Sequence, residues 1–112
     1  MRLTEQLAYL EFLGCQSRAE LVITDSGGVQ EETTYLGVPC LTVRENTERP
    51  ITTEMGTNIL VGRNLKRIGE EVRRVLSDDF KVSGQVSPLW DGHAAERIAQ
   101  VIESWGRQQL QT

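Results

Sequence analysis

Three short apolar runs, Leu21-Val22-Ile23, Cys40-Leu41-Thr42-Val43 and Ile59-Leu60-Val61, constrain this chain more than any other feature. Each is too short for a helix and rich in β-branched residues. Their apolar side chains follow one another instead of alternating with polar ones, the pattern of strands buried on both faces in a parallel sheet. Helical stretches separate them. Leu3, Leu7, Leu10 and Leu13 mark one face of a helix over Leu3–Gln16. Val29–Leu36 predicts a second helix, stopped by Gly37, and a short one is expected over Thr52–Met55. Asn64–Leu76 predicts an amphipathic helix with Asn64 as its N-cap. A last helix begins after Asp91 and carries Ile98, Val101, Ile102 and Trp105 on one stripe, whereas Asp78–Leu89 reads as irregular.

Alternating strands and helices imply right-handed parallel crossovers, so the predicted class is α/β: a Rossmann-like three-layer α/β/α arrangement around a short parallel sheet. Three strands are few for such a layer, which commonly has about five or six, and this points to an incomplete domain.

Composition narrows the partners. Among 112 residues, 12 Lys and Arg face 16 Asp and Glu, for a net charge of −4. An acidic chain is a poor phosphate-backbone binder, so nucleic acid is not expected as a partner. No apolar run approaches the roughly 18 residues of a membrane span, and no secretory leader stands at the start, which favours a cytoplasmic protein. Cys15 and Cys40 are far apart and the chain has a single histidine, His93, so no metal and no cofactor are expected. Both cysteines read as small buried hydrophobes in a reducing compartment.

The strongest chemical signal is Thr24-Asp25-Ser26-Gly27-Gly28-Val29-Gln30-Glu31-Glu32, where a strand hands over to a helix. Ligands of open α/β sheets collect at such carboxyl ends. Ser26, Gly27 and Gly28 would offer backbone amides to an anion at a helix N-terminus. Spacing alone fits a second reading equally, a tight turn in which Ser26 caps the helix. Glu31 and Glu32 are expected in the first helical turn, supporting the dipole or accepting ribose hydroxyls. The next strand is followed by Arg44-Glu45-Asn46-Thr47-Glu48-Arg49-Pro50, which brings two arginines suited to bidentate phosphate contact.

These segments, with Leu36-Gly37-Val38-Pro39, Gly56-Thr57-Asn58 and Tyr9-Leu10-Glu11-Phe12-Leu13, make the chain resemble the non-hydrolysing bacterial UDP-N-acetylglucosamine 2-epimerases over residues 7–103. The resemblance implies that residues 1–112 are part of the C-terminal, UDP-binding domain of a two-domain GT-B fold. The N-terminal catalytic domain and the first strands of this domain would lie outside them. It assigns the pyrophosphate of UDP to Ser26, Gly27 and Gly28, the ribose hydroxyls to Glu32, the nucleotide-sugar phosphates to Arg49 and the uracil pocket to Phe12. Leu7 stands where some relatives have a base-contacting glutamine. The catalytic carboxylates and histidine of the family have no counterpart, and His93 does not match that histidine. The expected role is therefore UDP or UDP-GlcNAc binding within an isomerase, without turnover by this chain alone. A stand-alone UDP-binding or self-associating module, a structural remnant and half of a GT-B glycosyltransferase are the alternatives. A homo-oligomer or a separately supplied N-terminal domain would complete the surface.

Overall fold

A computed structural model describes residues 1–77 and 88–111. Along the chain run α1 (Tyr9–Arg18), β1 (Val22–Thr24), α2 (Gly27–Leu36), β2 (Cys40–Thr42), α3 (Ile51–Glu54), β3 (Asn58–Leu60), α4 (Leu65–Leu76) and α5 (Ala94–Leu110). The strands form a parallel sheet in the order β1-β2-β3, with Val22 beside Cys40 and Asn58 beside Cys40 on the other side. Both crossovers advance the same way, so the carboxyl ends of β1 and β2 open side by side. The α/β class and short parallel sheet expected from the sequence are what the chain forms.

The two faces of the sheet differ in chemistry. Cys40, Thr42 and Asn58 point toward α2 and α3, as shown by the hydrogen bonds of Asn58 to Gln30 and Thr52. Ile23, Leu41 and Ile59 share the opposite face through the strand register. Leu41 is fully buried there, while Ile23 on β1 is 51% exposed. Among the described residues β1 pairs only with β2, so its outer edge is open.

Helix ends follow their local chemistry. Gly37 closes α2 in the left-handed region, at φ 74°, where a β-carbon would be strained. Asn64 caps α4 through its Oδ1, which accepts the Arg67 amide at 3.2 Å. Ahead of α5, the Asp91 carboxylate accepts the Arg97 guanidinium and the His93 amide. These bonds hold its pKa down at about 2, the Arg97 bond contributing most.

Several sequence expectations are corrected. α1 spans only Tyr9–Arg18, so Leu3 and Leu7 precede it, and Leu3 is exposed for want of anything to pack on. The buried residue of α1 is Gln16, not a leucine of the expected stripe; Leu10 is 78% exposed. α2 starts two residues earlier than Val29, and Glu31 and Glu32 consequently fall in its second turn, where the dipole argument no longer applies. Cys15 is exposed, unlike Cys40, whose thiol pKa is raised by burial. The irregular segment Asp78–Leu89 lies mostly outside the described residues. On α5 no residue is buried, and Ile98, Val101, Ile102 and Trp105 all face solvent. The radius of gyration, 18.1 Å, accordingly exceeds the ~13 Å of a compact chain of this length.

Gly56 is required by packing. A β-carbon there would lie 2.5 Å from Thr34 Oγ1 and 2.6 Å from the Thr52 carbonyl oxygen, and the backbone contact cannot yield cheaply. Gly56→Ala is expected to destabilise the chain by about 1–3 kcal/mol, read as a lower urea midpoint with an unchanged slope.

Candidate functional site

Where β1 ends, the chain must leave the sheet and enter α2 within two residues. Thr24 Oγ1 accepts the Ser26 amide at 3.1 Å, folding the bend, and Ser26 then serves as the N-cap. Its hydroxyl accepts the Val29 amide at 3.5 Å, the long limit of a hydrogen bond, and its carbonyl takes the Gln30 amide at 3.2 Å. The amides of Gly27 and Gly28 precede the first intrahelical bond and have no acceptor among the described residues. Ser26 thus caps the helix, as the second reading of the bend has it, and the two glycine amides remain without an acceptor among the described residues.

The loop after β2 comes back over this bend. The position a Gly27 β-carbon would take lies 3.9 Å from Cγ of Arg49. The guanidinium Nε of Arg49 sits 2.6 Å from Glu31 Oε1, with both side chains two-fifths exposed. The Arg49 side chain thus runs past the N-terminus of α2, whose positive end favours an anion, while its guanidinium is paired with Glu31. The carbonyl of the other arginine of the loop, Arg44, accepts the Gly62 amide, just past β3, at 3.1 Å.

On the other side of α2 the arrangement is different. Glu32 accepts a hydrogen bond from Gln16 Nε2 of α1 at 2.6 Å. It lines a cavity of about 500 Å³ with Tyr9, Leu13, Tyr35 and Trp90. Phe12, one helical turn before Gln16, borders a separate groove of about 240 Å³ with Thr24 and Val29. Gln16 belongs to that groove as well, so it links the Phe12 and Glu32 sides. The structure thus joins Ser26, Gly27, Gly28 and Arg49 in one cluster. Glu32 shares its cavity with Glu31, the partner of Arg49, and Phe12 shares its groove with Thr24 and Val29 of the bend. Among the described residues no three His, Cys, Asp or Glu side chains are grouped to hold a metal ion. His93 lies at the start of α5, with Nδ1 3.1 Å from Glu96.

Sequence reasoning missed three participants. The partner of Arg49 is Glu31, Gln16 is the buried partner of Glu32, and Gln30 is fully buried beneath the bend. For Gln16 and Gln30 a signal existed: each is a polar residue on the inward face of its helix, where an aliphatic one would otherwise be expected.

The family model described as UDP-N-acetylglucosamine 2-epimerase matches residues 1–103. The UDP-N-acetylglucosamine 2-epimerase of Methanocaldococcus jannaschii is 45% identical over 102 residues, covering 91% of this chain and 27% of that protein. That of Escherichia coli K12 is 42% identical over 99 residues, covering 86% and 26%. The crystal structure of the Methanocaldococcus jannaschii protein in complex with UDP-GlcNAc and UDP superposes with a TM-score of 0.75 at 44% identity, over 90% of this chain and 27% of that one. The Neisseria meningitidis 2-epimerase bound to UDP-GlcNAc gives 0.64 at 37% identity, over 68% and 21%. The chain spans about a quarter of the length of these relatives.

Neutralising Glu31 should release Arg49 to an anion. Glu31→Gln is expected to tighten inorganic pyrophosphate binding up to about fivefold in low salt, as befits an exposed ion pair. The gain should fade as salt rises, and titration calorimetry at two ionic strengths checks both.

Proposed function

Because the chain belongs to the UDP-N-acetylglucosamine 2-epimerase family, we propose that it is the nucleotide-gripping part of such an isomerase, drawn from the C-terminal domain of a two-domain GT-B fold. The observation that carries this reading is the pair of glycine amides without an acceptor among the described residues, with the Arg49 side chain passing Gly27. In it, Ser26, Gly27, Gly28 and Arg49 hold the diphosphate of UDP. Glu32, already oriented by Gln16, takes the ribose hydroxyls, and Phe12 in its groove borders the base.

The complete enzyme would interconvert UDP-GlcNAc and UDP-ManNAc by eliminating UDP together with the C2 proton, then returning a proton to the opposite face of C2 as the retained UDP rejoins C1. As the C1–O bond breaks, negative charge gathers on the departing phosphate. Fixed N–H dipoles and a guanidinium stabilise that charge without reorganising. They also retain the leaving group for recapture, which keeps the return step effectively unimolecular. In this reading the cluster moves no proton at C2. Its work is to hold, in a cytoplasmic setting compatible with the free thiols of Cys15 and Cys40.

The exposed stripe Ile98, Val101, Ile102 and Trp105 favours a second reading, in which the chain associates with a copy of itself. Sedimentation over a wide concentration range decides it, since a monomer throughout would remove that reading.

Calorimetry should show UDP binding to the 112-residue chain, weakened about ten- to a hundredfold by Arg49→Ala, the loss expected for a charged hydrogen bond. Supplied with UDP-GlcNAc, the chain should yield no UDP-ManNAc. Turnover would sink this division of labour, and an Arg49→Ala variant that binds UDP as well as the parent would sink the site.

A further inference from the structure

Gln30 has no exposed surface, yet it carries an amide into the layer between α2 and the sheet. Its Oε1 accepts two hydrogen bonds, from Thr47 Oγ1 at 2.6 Å and from Asn58 Nδ2 at 3.1 Å. Each donor leads to the same residue. Thr47 Oγ1 accepts the backbone N–H of Arg49 at 2.9 Å. Asn58 Nδ2 also reaches Thr52 Oγ1, at 3.1 Å, and that hydroxyl donates to the Arg49 carbonyl at 2.7 Å. The Thr52 amide donates to the same carbonyl at 3.0 Å. The result is a closed ring through Gln30, Thr47, Arg49, Thr52 and Asn58, in which both backbone polar groups of Arg49 are engaged. Thr42 Oγ1 anchors the ring to the central strand by donating to Asn58 Oδ1.

Stability alone does not account for a glutamine here. Its Nε2 is buried without a partner among the described residues, which costs free energy that an apolar residue of equal volume would not incur. A buried polar group retained at such a cost calls for another explanation.

We propose that Gln30 is a positioning residue: through Thr47 on one side and Asn58 and Thr52 on the other, it fixes the backbone of Arg49 so that its side chain stays against Gly27 and its guanidinium beside Glu31. The assignment of that guanidinium to a diphosphate rests on the function proposed above; the positioning itself does not. Gln30 touches no ligand in this scheme. It acts by removing freedom from a loop that would otherwise have to be ordered upon binding.

The variants that test it are Gln30→Met, which keeps volume and removes the acceptor, Thr47→Val, which cuts one arm, and Thr47→Ser, which restores the hydroxyl. Hydrogen exchange in the ligand-free chain should show the Arg49 amide at least about fivefold less protected in the first two, the effect of one lost hydrogen bond. Protection should return in Thr47→Ser, with the Cys40 and Val43 amides of the sheet unchanged in all three. Calorimetry should then find UDP binding weakened about tenfold in Gln30→Met and Thr47→Val while uridine binding holds, since only the phosphates meet Arg49. Unaltered Arg49 exchange in both variants would overturn the proposal. So would equal losses for UDP and uridine, which would mean that Gln30 merely supports the fold. Should the parent chain bind no UDP, the functional reading fails while the exchange result still decides the positioning role.

Discussion

A seam of hydrogen bonds, rather than a layer of aliphatic contacts, joins the sheet to the helices that follow β1 and β2. Thr42, Asn58, Gln30, Thr33 and Thr52 are all essentially buried within it. Apolar packing tolerates sliding, because its energy depends little on direction. A hydrogen bond weakens steeply when bent or lengthened, and a buried one that is lost leaves a desolvated partner behind. Such a seam therefore sets the rotation of α2 and the course of the loop after β2 relative to each other. The two halves of the anion cluster, glycine amides from α2 and guanidinium from the loop, inherit that fixed relation.

Much of this was legible in the residues. The β-branched runs mark all three strands, Gly37 and Asn64 mark helix ends, and the Ser26-Gly27-Gly28 bend and Arg49 meet as their positions at neighbouring carboxyl ends require. The misreadings share a cause. Leu3, Leu7 and Leu10 form a faultless helical stripe, but periodicity reports only that a face is apolar and not that something lies opposite it. Where the partner is lacking, the helix starts later, at Tyr9, and buries Gln16 instead. The pairings Glu31–Arg49 and Gln16–Glu32 were illegible for a different reason, since they connect residues 16 to 18 positions apart through tertiary geometry alone.

The surfaces left uncovered agree with the share of the relatives that this chain spans. Ile23 on the open edge of the sheet and the whole apolar stripe of α5 carry side chains chosen for burial. The polar seam, by contrast, closes a ring of hydrogen bonds within this chain.

The ion pair between Arg49 and Glu31 gives the cluster a resident rival for whatever arrives. An incoming oxygen must outbid a carboxylate already seated at the guanidinium, and a small, singly coordinating anion gains too little by the exchange. A linked pair of phosphates can claim the glycine amides with one group and the arginine with the other. Under the function proposed above, this pair would favour a nucleotide tail over a simple anion by the modest worth of an exposed ion pair.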